Sequence, residues 1–133
     1  MTWYYKKQPF TEALDYCAGF IYLITNKKTG RKYVGKKWFW SNRRVSQKGK
    51  TRKKIVRKES DWQNYFGSSK ELLGDIAEHG EGNFDREILR LCHTKGDCSY
   101  YEAKEQFERN VLLSEDYYNN FIGAKIHGKH LTK

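Results

Sequence analysis

The sequence predicts a small α/β domain of the α+β kind: a three-stranded antiparallel sheet flanked by helices, in the order β-β-α-β-α. Three observations predict it. Residues 19–25, Gly-Phe-Ile-Tyr-Leu-Ile-Thr, are aromatic and β-branched, which suits a pleated, half-buried surface. A turn-like stretch and a second run of the same kind follow directly. Two amphipathic helical stretches then bracket a third apolar run.

Taken in order, residues 1–18 read as a mixed lead-in with a short helix around Thr11–Cys17. Asn26-Lys27-Lys28-Thr29-Gly30 joins the first two strands, and Gly30 is free to take a positive φ. The second strand covers 31–36. If Tyr22 and Tyr33 stand opposite each other, both face one side of the sheet; a one-residue bulge at Gly30 would separate them. Residues 41–58 hold nine Lys or Arg and no acid, as either a flexible loop or a hairpin extension. Asp61–Phe66 is short and aromatic. Ser68-Ser69 opens a helix with Glu71 in its first turn, an apolar stripe of Leu72, Leu73 and Ile76, and an end at His79-Gly80. Phe84–Leu91 forms the third strand. Residues 99–113 form the second helix, burying Tyr101, Ala103, Phe107, Val111 and Leu112. Residues 116–122 make a compact aromatic turn, and a loose basic tail runs from about Lys125. With no internal repeat or linker, the 133 residues read as one domain, carrying the basic insertion at about 41–58.

Twenty-six Lys and Arg against 16 acidic residues give a formal charge of +10, which points to a polyanionic partner, nucleic acid first. No apolar run reaches the roughly 18 residues of a membrane span. The N-terminal residues lack the apolar core of a signal peptide, so the expected location is intracellular, in the cytoplasm. Cys17, Cys92 and Cys98 fit a reducing compartment. Cys92, His93 and Cys98 lack a fourth zinc ligand at suitable spacing.

Phe20-Ile21-Tyr22 and Tyr33-Val34-Gly35, followed by a helix, a strand, a helix with Glu102 and a closing Asn119-Asn120, resemble the GIY-YIG nucleases. The resemblance spans roughly 19–123. Phe20 replaces the first glycine of the tripeptide, and Val34 replaces an isoleucine. The phrases Ser60–Leu72 and Tyr117–Ile126 are similar to small phage-encoded enzymes akin to homing endonucleases.

The resemblance implies a magnesium- or manganese-dependent endonuclease that hydrolyses phosphodiester bonds in DNA with one ion. It implies Tyr22 as an activator of the attacking water and Tyr33 as a holder of nucleophile or phosphate. A phenol acts as a base only if cations or a metal lower its pKa from about 10. Counting eight positions past Gly35 lands on Arg43, the implied phosphate ligand, with Arg44 able to serve instead. Glu102 is the implied metal ligand, preferred over Glu105, and Asn120 the implied closing residue, preferred over Asn119. No histidine stands in 65–69 to transfer protons.

Lys36, Lys37, Arg43, Arg44, Lys48, Lys50, Arg52, Lys53 and Lys54 suit phosphate contacts, which give affinity with little sequence selection. High selectivity would then need a homodimer or a partner protein. A non-catalytic nucleic-acid-binding module and a nuclease acting on RNA are the alternatives.

Overall fold

A computed structural model describes residues 2–123. The sheet is larger than predicted. Among the described residues seven strands form: β1 (Trp3–Tyr5), β2 (Gln8–Phe10), β3 (Gly19–Asn26), β4 (Lys32–Trp38), β5 (Trp40–Val45), β6 (Lys54–Glu59) and β7 (Phe84–Cys92). Helices α1 (Lys70–His79) and α2 (Lys95–Glu108) flank β7 in the chain. Five strands make one mixed sheet in the order β2-β1-β7-β3-β4, with β1 parallel to β7, and β5–β6 form a separate two-stranded sheet. This corrects both the three-stranded antiparallel sheet and the β-β-α-β-α order.

The extra strands have local causes. The β1–β2 hairpin turns through Lys6 and Lys7, both at positive φ (50° and 67°). Trp3 then reaches the core, where its indole N–H donates to the Trp62 carbonyl at 2.8 Å. The basic stretch 41–58 takes the hairpin alternative, with Arg43 opposite Val56 and Val45 opposite Lys54. The helix expected at Thr11–Cys17 is absent; that segment is a set of turns.

Helix α1 matches its expected bounds. Ser69 caps it, accepting from the Leu72 N–H, and Gly80 ends it at φ 87°. Leu72 and Ile76 are buried, whereas Leu73 is exposed. Helix α2 begins earlier than expected, because the Thr94 side chain accepts from the Asp97 N–H, and it ends at Glu108 rather than 113. Its buried residues are Asp97, Cys98, Ala103 and Gln106. Phe107 and Leu112, expected inside, are exposed.

The main sheet buries both faces. Phe20, Tyr22, Ile24, Phe84 and Ile88 pack with Trp3, Phe39, Trp62, Leu72 and Ile76 on the α1 side. Ile21, Leu23 and Val34 pack with Cys92, Cys98 and Val111 on the α2 side. Among the described residues, no helix is long and apolar enough to cross a membrane. The basic tail from Lys125 lies outside the described residues.

Candidate active site

In the observed register Tyr22 faces Gly35 and Tyr33 faces Ile24. The offset from direct opposition is an even number of residues, so both tyrosines share a sheet face. Their ring centroids are 6.1 Å apart, and Tyr65 sits 6.0 Å from Tyr22. The pairing of β3 with β7 shifts register between Ile21 and Tyr22, where Leu89 of β7 is left without a partner opposite the tyrosine strand.

Tyr22 is 1% exposed. Burial holds its hydroxyl proton well above the ordinary tyrosine range, and nearby Tyr65 and Tyr33 add to the effect. This is the reverse of the lowering that would make it a base. Tyr33 is also raised by burial, although its contact with the Ser68 hydroxyl at 3.3 Å opposes the shift. Tyr33 opens onto a cleft of about 160 Å³ lined by Ser68, Ser69, Asn119, Asn120 and Phe121.

Two further residues hold this cluster, and the sequence did not single them out. Tyr65 comes from the aromatic 61–66 stretch. Arg86 on β7 is buried between the rings of Trp3 and Phe66 and donates to the carbonyls of Gln63 and Tyr65 at 2.9 and 2.8 Å. Burial lowers its pKa to about 10. The alternation Phe84, Arg86, Ile88 was its one sequence signal, an arginine on the apolar face of a strand.

Glu102 reaches β4 from α2. It accepts from the Lys36 ammonium at 3.2 Å and from the Lys36 backbone N–H. Burial raises its pKa, and Lys36 opposes that rise. Its charge is felt at both Tyr22 and Tyr33. Glu105 instead pairs with Arg109 at 2.8 Å.

Asn119 is buried and bonds to β4 as a neighbouring strand would. Its Oδ1 accepts from Val34 N–H at 3.0 Å, and its Nδ2 donates to the Val34 carbonyl at 2.8 Å. Asn120 is exposed at the mouth of the cleft.

The cations divide into two groups. Lys36 is held by Glu102; Lys37 donates to Asp61 at 2.6 Å and lies 4.1 Å from the centroid of the Tyr65 ring. That bond keeps the Asp61 carboxyl below its usual range. Arg43, Arg44, Lys48, Lys50, Arg52, Lys53 and Lys54 are all exposed on the β5–β6 hairpin. Arg43 makes no hydrogen bond or ion pair with Tyr22, Tyr33 or Glu102.

Glu102 offers carboxylate oxygens, the hard ligands magnesium and manganese take, and one carboxylate completed by waters is an ordinary magnesium site. Lys36 now supplies the positive charge there. A second acidic group, Asp75, Glu78 and His79 on α1, has ligand atoms within 4.8 Å of one another. Asp75 already accepts from the Tyr118 hydroxyl at 2.6 Å, and the group shares no residue with the tyrosine cluster.

Comparison with known proteins shows the family. The family model described as "Putative endonuclease segE, GIY-YIG domain" matches residues 3–122. The curated protein of that name from Enterobacteria phage T4 is 30% identical over 102 residues, which are 75% of this chain and 39% of the relative. The chain thus spans about two fifths of that relative's length. No solved structure matches the chain.

Proposed function

The chain belongs to the GIY-YIG endonuclease family, and from that premise we propose that it hydrolyses phosphodiester bonds in DNA with one divalent ion, magnesium or manganese. The observation that carries the reading lies at the middle of β4, where two tyrosines pack on the α1 face of the sheet and a carboxylate whose charge is felt at both comes from α2 on the other face. Tyr22 and Tyr33 converge on the Gly35 side, and Glu102 bonds to the next residue, Lys36.

Each group has a distinct task. Tyr33, on the cleft, orients the attacking water or a phosphate oxygen through its hydroxyl. Tyr22, buried and protonated, is a donor that fixes this network rather than a phenolate base. Glu102 would hold the metal, which would supply charge stabilisation at the leaving oxygen. Lys36, displaced from Glu102, turns to a phosphate oxygen. Lys37 is the other cation beside the tyrosines. Arg43 contacts DNA from the hairpin, away from the reacting phosphate. Asn119 supports β4, and Asn120 faces the substrate across the cleft. In an infected cell this reaction would take place in the host cytoplasm.

A plasmid nicking assay with magnesium tests the reading. Wild type should nick, and Glu102→Ala and Tyr22→Phe should not. Activity that survives both changes, or needs no metal, overturns the mechanism. Cutting of structured RNA with none of DNA would move the substrate to RNA.

A further inference from the structure

Among the described residues, the β5–β6 ribbon is fastened to the body near its base. The Trp40 indole N–H donates to the Cys17 carbonyl at 3.0 Å, and Arg57 stacks on Trp40 while donating to the Asp15 carbonyl at 2.9 Å. Beyond that, both strands stand in solvent. Two strands alone are marginal in water, so a projecting ribbon of this length needs a reason.

Its two faces differ near the base, although towards the tip the body-facing one also exposes Arg44 and Ile55. Opposed residues of an antiparallel pair share a face and alternate along it. Trp40 and Arg57 therefore mark the face that meets the body. Ser41 with Lys58, Arg43 with Val56, and Val45 with Lys54 make up the other. That outer face carries three cations, a hydroxyl and two valines that are 40% and 37% exposed. Phosphate attraction alone accounts for the cations but gives the valines no task. Base edges use both kinds of group: donors meet guanine N7 and O6, and methyl groups meet the thymine methyl. A two-stranded ribbon fits the roughly 12 Å major groove, where each base pair presents a distinct pattern of donors, acceptors and methyl groups.

We propose that the outer face of β5–β6 lies in the major groove of duplex DNA and reads base edges through Arg43, Val45, Val56 and Lys58, while loop cations such as Lys48 and Lys50 hold phosphates. This rests on the reading of the protein as a DNA-cutting enzyme. It gives the chain its own source of sequence preference, without a dimer or a second protein.

The test is binding by the full chain in EDTA, so that cutting is not required. A preferred duplex is first selected from a randomised pool by the wild-type protein. It is then remade with 7-deazaguanine for guanine, or uracil for thymine, which changes major-groove atoms and leaves every phosphate in place. The expected result is binding about tenfold weaker to the altered duplexes. Arg43→Ala/Val56→Ala should lose the preference, whereas Lys48→Ala/Lys50→Ala should weaken all duplexes alike. The proposal is overturned if selection returns no preference, if the altered duplexes bind equally, or if the ribbon variant weakens all sequences equally. Cutting of DNA alongside any of those results removes the ribbon proposal alone. A chain that neither binds nor cuts duplex DNA removes the underlying reading as well.

Discussion

The Tyr22 hydroxyl lies over the backbone of Gly35, where a methyl group on that glycine would come within 2.5 Å of it. The ring carbon bearing the hydroxyl would be just as close, at 2.6 Å, so a small rotation of the tyrosine gives no relief. The glycine of the second tripeptide is therefore required by packing against the tyrosine of the first. Gly35→Ala should cost about 1–3 kcal/mol in urea unfolding and abolish nicking. Adding Tyr22→Leu to Gly35→Ala should cost less than the two single changes summed. Strictly additive costs would show that the contact does not govern the site.

The adjacent asparagines should separate cleanly. Asn119→Ala strands the buried N–H of Val34 and should cost about 1–3 kcal/mol. Asn120→Ala should change stability by about 0.5 kcal/mol or less, because its side chain is exposed. Urea denaturation of both variants decides this, and equal costs would refute the assignment of the support role to Asn119.

Glu102→Gln should lower magnesium-dependent nicking about a hundredfold or more while DNA binding in EDTA is kept or strengthened. Lys36→Met should destabilise the fold by about 1–3 kcal/mol, between the values for exposed and buried pairs, since it leaves a half-buried carboxylate without its counter-charge. Parallel nicking, binding and unfolding measurements check the pair. A Glu102→Gln protein that still nicks at the wild-type rate would remove the metal role.

Tyr22 titrates far above an unfolded tyrosine, so its contribution to stability has a definite sign. The contribution is complete below pH about 10. It is lost as pH rises from there through the folded value, because only the unfolded chain releases the proton. Urea unfolding between pH 8 and pH 11 should therefore show a steeper alkaline decline for wild type than for Tyr22→Phe. Equal slopes would show that the hydroxyl is not held as the fold implies.

Several elements are legible from short-range signals. The strands around Tyr22 and Tyr33, the Ser69 cap and the Gly80 end of α1 all depend on residues close in sequence. The β1–β2 hairpin is hidden because its turn uses Lys6 and Lys7 at positive φ, where Asn-Gly or Asp-Gly would have announced it. The start of α2 escapes notice because Thr94 and Asp97 cap it ahead of the apolar residues. In the site, even parity along two strands is enough to bring the tyrosines to one face. Tyr65 and Arg86 are out of reach, since their place depends on a strand and a loop 21 residues apart meeting in space. The spacing from Gly35 to Arg43 runs through a segment that folds as a ribbon, which puts Arg43 on the hairpin.

The outer edge of β4 is covered almost entirely without a regular strand. Asp116 and Tyr118 bond to Lys32, Asn119 and Gln106 to Val34, Glu102 to Lys36, and Ser60 to the Trp38 carbonyl. An open edge of this length is a template for another chain, and strands left so exposed invite fibre-like self-association. Here Glu102, proposed to hold the metal, also occupies that template beside the supporting Asn119. Loss of Asn119 or Glu102 should thus carry a second liability, a tendency to aggregate through β4 that a loss of activity alone would not reveal.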